Sequence, residues 1–203
     1  MPASAADILP VGTDWTYEIK WDGYRALAVK DGVAVRLISR NQKNLTADYP
    51  TVVAALRSIK EKAVVLDGEI VALDRNGRPS FQALQHRSIE GLVLTYVAFD
   101  ALTIGSRSLL ADPLSVRRQH LASLLAGSLV MQSEPLPGNP NAIERAIRDF
   151  GLEGVAANPS DSTYRPGQRA DAWVKVKFSP RQEFVVGGYK SNGRSIDSVV
   201  VGY

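Results

Sequence analysis

At 203 residues, with 45% hydrophobic and 22% charged side chains, the chain has the makeup of a soluble globular protein and length enough for one large domain with its own core. It has no cysteine, which excludes disulfides, thiolate catalysis and cysteine-based zinc or iron–sulfur sites. No apolar run approaches the roughly 20 residues of a membrane helix, the start Met1-Pro2-Ala3-Ser4 lacks the basic region of a signal peptide, and a net charge of +3 says little until its placement is read.

The first third reads as a β-meander. Trp15 to Lys20 alternates, Tyr24 to Lys30 alternates again, and Val33 to Ile38 follows the turn at Asp31-Gly32. Tyr49 to Ile59 has helical spacing through Val52, Val53, Leu56 and Ile59. Ala63 to Leu73 is an apolar, β-branched strand carrying Asp67-Gly68-Glu69, ended by a turn at Asn76-Gly77. Ser80 to Gln85 reads as a short helix and Leu92 to Leu102 as the next strand. Asp112-Pro113 reads as an N-cap with proline at the first helical position, opening a helix that runs to about Ala126. Leu129 to Gln132 is a short strand. Asn139-Pro140 repeats the cap and proline, and Gly151 stands where a C-terminal glycine belongs. Val155 to Ala157 and Ala172 to Phe178 are the last strands of the main body. Beyond Pro180, Glu183 to Tyr189 and Ser198 to Tyr203 read as two strands around Ser191-Asn192-Gly193. Strands dominate and no βαβ rhythm holds, so the class is α+β.

Several residues carry chemistry. Lys20 ends a strand before the glycine-containing Trp21-Asp22-Gly23. A lysine is nucleophilic only when neutral, and nearby cations favour that form. Arg25, Arg40, Lys175 and Lys177 are the cations on offer. Taken alone, Lys20 reads equally as an exposed strand-end lysine. In Trp173 to Phe178, alternation puts Lys175 and Lys177 on one face and Val174, Val176 and Phe178 on the other. Two ammonium groups side by side are costly unless an anion sits between them, and phosphate suits the task; an outer strand with its polar face in water fits the pattern as well. Asp67 and Glu69 sit inside an apolar strand, so they should meet a cation or a metal. Glu153-Gly154 opens another apolar strand in the same manner. Hard carboxylate oxygens suit Mg²⁺, or a salt bridge to an arginine. Tyr96 to Asp100 brings an aromatic ring near these charges, either for stacking on a base or as core. Residues 165–194 hold Arg165, Arg169, Lys175, Lys177, Arg181, Lys190 and Arg194 against Asp171 and Glu183, a local excess suited to polyphosphate or nucleic acid. His86 and His120 read as ordinary surface or helix residues.

The order of these elements resembles the covalent nucleotidyltransferases, and among them the bacterial ATP-dependent DNA ligases of the end-joining type. The nucleophile motif Lys-x-Asp-Gly-x-Arg stands as Lys20-Trp21-Asp22-Gly23-Tyr24-Arg25, followed by Ser39-Arg40-Asn41, Asp67-Gly68-Glu69, Phe99-Asp100, Glu153-Gly154 and Trp173 to Lys177. Pro113-Leu114 with Arg117-Arg118 and Leu121, and Asp161 to Gly167, are similar to the same family. Each motif is short, but six in order across nearly the whole chain form a strong signal.

The resemblance implies an α+β nucleotidyltransferase (ATP-grasp-like) core of two antiparallel sheets with flanking helices over residues 1–182, with 183–203 the start of an OB-fold. It implies that Lys20 attacks the α-phosphate of ATP, releases pyrophosphate and carries AMP to the 5′-phosphate of a DNA nick, which the 3′-hydroxyl then seals. By the same resemblance, Phe99 stacks on adenine with Glu18 near its edge and Ile19 beside the nucleotide. Arg25 and Glu69 approach the ribose, and Arg40 the ribose or a DNA phosphate. Lys175 and Lys177 hold the α-phosphate, and Glu69 and Glu153 place Mg²⁺. Nicked double-stranded DNA, Ku, or a fused polymerase or nuclease domain are the implied partners of a monomer in the bacterial cytoplasm, at the nucleoid.

Two departures stand out. Asn158 occupies the end of the Glu-Gly motif, where the family has a basic residue. The chain stops after two of an OB-fold's five strands, read as a cut inside that domain or a natural truncation, so slow self-adenylation and poor nick sealing are expected. The competing readings are an RNA ligase, a capping guanylyltransferase, and a decayed module that binds nucleotide or DNA without turning it over.

Overall fold

Alternating side chains decide the architecture: each long strand buries one row of residues under helices and turns the other row toward a second sheet. The computed structural model describes residues 3–86, 92–168, 170–178, 185–191, 193 and 195–202. In chain order the strands are β1 (Ala3–Ala5), β2 (Trp15–Ile19), β3 (Tyr24–Asp31), β4 (Ala34–Ser39), β5 (Ala63–Leu73), β6 (Val93–Ile104), β7 (Arg107–Ser108), β8 (Met131–Gln132), β9 (Gly154–Pro159), β10 (Ala170–Lys177), β11 (Val185–Ser191) and β12 (Ile196–Gly202). The α-helices are α1 (Pro50–Arg57), α2 (Phe81–His86), α3 (Leu114–Leu125) and α4 (Pro140–Asp149).

The larger sheet runs β4-β3-β5-β6-β7, with β8 added beside β6, and the smaller runs β1-β10-β9-β2. Most neighbours are antiparallel, as expected. Two parallel pairings, β1 with β10 and β6 with β8, were not legible in strands of only three and two residues. β11 and β12 form an antiparallel hairpin of their own.

One face of the larger sheet, with Ala26, Ala28, Leu37, Leu66, Ile70, Tyr96 and Ala98, packs under Val52, Val53 and Leu56 of α1 and Leu121 and Leu125 of α3. In the smaller sheet, Tyr17, Val155, Ala157 and Val176 pack on Ile143 and Ile147 of α4, one helical turn apart. α4 begins as its sequence predicts: the Asn139 side chain accepts from the Ala142 amide at 3.0 Å, with Pro140 in the first turn and Gly151 at φ +65° past the end.

α3 begins differently. Pro113, not Asp112, is the capping residue, extended at ψ 148°, and it offers no side-chain cap. The carbonyls of Ser162 and Ser160 accept from the Leu114 and Ser115 amides at 2.9 Å each, so a neighbouring loop satisfies groups that a cap would otherwise serve. Asp112 turns its carboxylate to Arg107 instead, at 2.8 Å.

Candidate functional site

The inner faces of the two sheets enclose a cleft of about 240 Å³. Its floor is the smaller sheet. Glu18 pairs with Ala156 and Thr16 with Asn158 across β2 and β9, and Lys175 of β10 pairs with Ala156, so alternation brings Glu18, Asn158, Ala156 and Lys175 to one face. Lys20 lies just past β2, where its amide donates to Gly154 O at 2.9 Å and prolongs the ladder by one step. The nucleophile candidate is thereby held on a rigid element. The opposite wall is the larger sheet, with Arg25, Glu69 and Phe99. Phe99 is the extra residue of a bulge, since β5 pairs Asp67 with Asp100 and Gly68 with Ala98, and a bulge re-aims the side chain it carries. Phe99 and Trp21 both pack against the Val71, Leu73 and Val97 cluster.

The glycines of three motifs have steric reasons. An added Cβ would lie 2.1 Å from Ile70 O at Gly23, 2.4 Å from Val97 O at Gly68 and 2.0 Å from Val176 O at Gly154. Each lets a neighbouring strand approach closely beside the cleft.

The charges form three groups. Glu153 holds both Lys20 and Lys177, the latter at 2.7 Å. Burial raises the Glu153 carboxyl, but hydrogen bonds from Lys177 and Lys20 outweigh it and hold the group below its usual range. The sequence set cations beside Lys20; the structure puts a carboxylate in contact with it. The anion expected at Lys177 is likewise this carboxylate, because Glu153 just ahead of β9 faces the end of β10. In the second group, Arg25 grips Asp67 through two hydrogen bonds of 3.0 and 2.6 Å, and Tyr164 donates to Asp67 at 2.7 Å. Burial pushes Asp67 up, and Arg25 more than reverses it. Glu69, on the same face, has no such compensation: burial pushes it up to about 8 against the pull of Arg25 and Lys20. In the third, Glu18 is ion-paired with Arg118, which also donates to Ser133 O, and Ser133 Oγ accepts from the Trp21 indole at 3.1 Å.

Of the expected residues, Lys20, Glu18, Arg25, Arg40, Glu69, Phe99 and Lys175 line the cleft. Glu153 joins it through Lys20, and Lys177 through Glu153. Ile19 does not: strand alternation turns its side chain to the far face of the smaller sheet, against the α4 cluster. Tyr96, weighed as a stacking ring, is fully buried core, its hydroxyl 2.8 Å from Ala26 O. The sequence did not single out Trp21 and Trp173 as cleft walls or Arg118 as the partner of Glu18, and it singled out Asn158, which lines the cleft, only as a missing basic residue. Adjacent arginines on the otherwise ordinary helix α3 were the available signal for Arg118. Arg117 beside it is fully buried and doubly bonded to Asp100 at 2.8 and 2.7 Å.

Residues 3–177 match the family model described as ATP dependent DNA ligase domain. The chain is 40% identical over 194 residues to the multifunctional non-homologous end joining DNA repair protein LigD of Mycobacterium tuberculosis, spanning 94% of this chain and 25% of that protein. It is 33% identical over 222 residues to DNA ligase C of the same organism, spanning 99% of this chain and 61% of that one. Among solved structures, a mycobacterial DNA ligase D complexed with ATP and MES superposes with a TM-score of 0.83 at 37% identity, over 98% of this chain and 66% of that one. The chain thus spans about a quarter of the length of LigD.

Proposed function

The chain belongs to the ATP-dependent DNA ligase domain family, and from that premise we propose that it is the adenylation unit of a ligase that seals nicks in double-stranded DNA, with Lys20 as nucleophile. The observation that carries this reading is the placement of Lys20. It is fixed to the β2–β9 ladder, in contact with Glu153, at the edge of a cleft walled by Phe99, Trp21, Arg25 and Lys175.

In this reading the Lys20 amine attacks the α-phosphorus of ATP. The N–P bond forms as the bond to pyrophosphate breaks, and the ammonium proton is lost before attack because only the neutral amine is nucleophilic. Lys175 and Lys177 counter the phosphate charge, and positioning with charge neutralisation is most of what phosphoryl transfer asks of a protein. The triphosphate must displace Glu153 from Lys20 and Lys177, which frees that carboxylate for a cation. Mg²⁺ fits the donors: it takes one or two carboxylates together with phosphate and water, and among the described residues no group of three or more His, Cys, Asp or Glu side chains stands ready to enclose a metal. Glu153 and Glu69 would hold it, and it would neutralise charge on the phosphates. Phe99 would stack on the base, Arg25 would approach the ribose, and Arg40 would approach the ribose or a DNA phosphate.

We assign the substrate as nicked duplex DNA. Following the name of the LigD relative, the process is end joining, with Ku or a fused polymerase or nuclease domain as partner, in the bacterial cytoplasm at the nucleoid and as a monomer. No helix among the described residues is long and apolar enough to cross a membrane. The β11–β12 hairpin reads as the first strands of an OB-fold. The test is ATP labelled in its α-phosphate, incubated with protein and Mg²⁺, then chased with a 5′-phosphorylated nick. Label held through denaturation and passed to the 5′-phosphate is expected; label that never becomes covalent refutes the reading.

A further inference from the structure

Arg25 stands on a boundary. It lines the cleft, and it also lines a neighbouring hollow of about 450 Å³ whose wall takes in Asp67 and Tyr164. Its side chain is 31% exposed, against 3% for Asp67, and a long arginine side chain has many rotamers to choose from. Space alone therefore does not aim it; its partner must. The grip on Asp67 engages Nε and Nη2 and turns the other edge of the guanidinium away from that carboxylate.

Asp67 is held in turn. Its Oδ2 accepts from Arg25 Nη2 at 2.6 Å and from the Tyr164 hydroxyl at 2.7 Å. The torsion that turns a carboxylate is soft, and a second donor on the same oxygen stops that turn. Tyr164 is itself immobile. It is 7% exposed, packed with Leu102, Leu114 and Trp173, edge-on to the Trp173 ring at 6.3 Å, and its amide donates to Leu110 O at 2.9 Å. Burial, and after it the Asp67 charge, push the phenol up, so it keeps its proton and stays a donor. Tyr164 belongs to the loop that follows β9 of the smaller sheet and Asp67 to β5 of the larger, so the bond ties one wall of the cleft to the other.

We propose that Tyr164 is a positioning residue for adenylation: through Asp67 it aims the Arg25 guanidinium into the cleft and keeps it from swinging into the neighbouring hollow. It acts from behind the cleft wall, through two other side chains. This rests on the nucleotide reading above. It also gives the loop after β9 a task beyond closing the start of α3, because the seating of that loop decides where Arg25 points.

The experiment joins NMR of the arginine Nε–H groups to the kinetics of self-adenylation. The Arg25 signal is assigned by its loss in Arg25→Gln. In the parent it should exchange with water more slowly than that of the exposed Arg36. In Tyr164→Phe, which fills the same space and leaves Asp67 both bonds from Arg25, exchange should quicken about three- to tenfold, the worth of one hydrogen bond. The same variant should need about three- to tenfold more ATP for half its maximal rate. In the Arg25→Gln background the change at Tyr164 should move that requirement by less than about twofold, since the group being aimed is gone. An unchanged signal and an unchanged ATP requirement overturn the proposal. So does an equal shift with and without Arg25, which would mark Tyr164 as a support for the fold alone. Exchange in the parent as fast at Arg25 as at Arg36 overturns it without recourse to any variant at Tyr164. Each of these results, with normal uptake of AMP by the parent, leaves the nucleotide reading intact; a parent that takes up no AMP overturns both.

Discussion

Gly154→Ala tests how tightly the site is built. In ordinary packing, carbon and carbonyl oxygen approach to about 3.3 Å. The new Cβ would stand 2.0 Å from Val176 O and 3.0 Å from the Val176 carbonyl carbon and Lys177 Cα. Every clashing atom is main chain, so no rotamer relieves it. β9 and β10 must part by about 1.3 Å, at the step where Gly154 pairs with Lys177. The same displacement draws Glu153, the adjacent residue, away from Lys177 and Lys20. Overpacking of this kind costs about 3 kcal/mol, the upper end of the usual range. Guanidinium unfolding measures it, with Gly188→Ala as control, since a Cβ there meets nothing within 4 Å and should change stability by less than about 0.5 kcal/mol. Self-adenylation, assayed below the unfolding transition, should fall with it. A Gly154→Ala protein as stable and as active as its parent refutes the reasoning.

Three further outcomes follow from the charges. Arg117→Ala leaves Asp100 buried without its partner and strips donors from the carbonyls of Asp112 and Ser162; unfolding should show a loss of about 3–5 kcal/mol, and a loss under about 1 kcal/mol would contradict the assignment. Glu69, raised by burial from 4.5 to about 8, keeps in the fold a proton that the unfolded chain gives up. Stability from this group is therefore complete below about 4.5 and declines as pH rises through about 8. Glu69→Gln should flatten that part of the stability–pH curve, and parallel curves would count against it. Glu153→Gln should slow adenylation about a hundredfold, as loss of one well-placed charge does, with unchanged binding of AMP; an unchanged rate would remove Glu153 from the chemistry.

Much of this was written in the chain itself. Alternation placed β3 and, with it, Arg25, and an apolar, β-branched run placed β5 with Asp67 and Glu69; Phe99, the extra residue of a bulge, came from the motif order, since alternation does not foretell a bulge. The cap and glycine around α4 were legible because they act within a few residues. What escaped depends on distant partners. β1 is three residues long and pairs with a strand some 165 residues on. The start of α3 is completed by the carbonyls of Ser160 and Ser162, which no local pattern reveals. Ile19 sits in the right motif with its side chain on the wrong face, and strand parity from Lys20 and Glu18 was enough to say so. Lys20 was matched to cations because those favour the neutral amine, whereas the residue just ahead of β9 brings a carboxylate from 133 residues away. Asn158 read as a missing charge; in the fold it is an acceptor without a donor.

Intact mass followed by peptide mapping, after incubation with ATP and Mg²⁺, tests the central claim most directly. The account predicts one added AMP, carried on Lys20, removed by pyrophosphate and absent from Lys20→Arg. An adduct on another residue, or one that survives in Lys20→Arg, would contradict it, as would no adduct at all on protein already discharged with pyrophosphate.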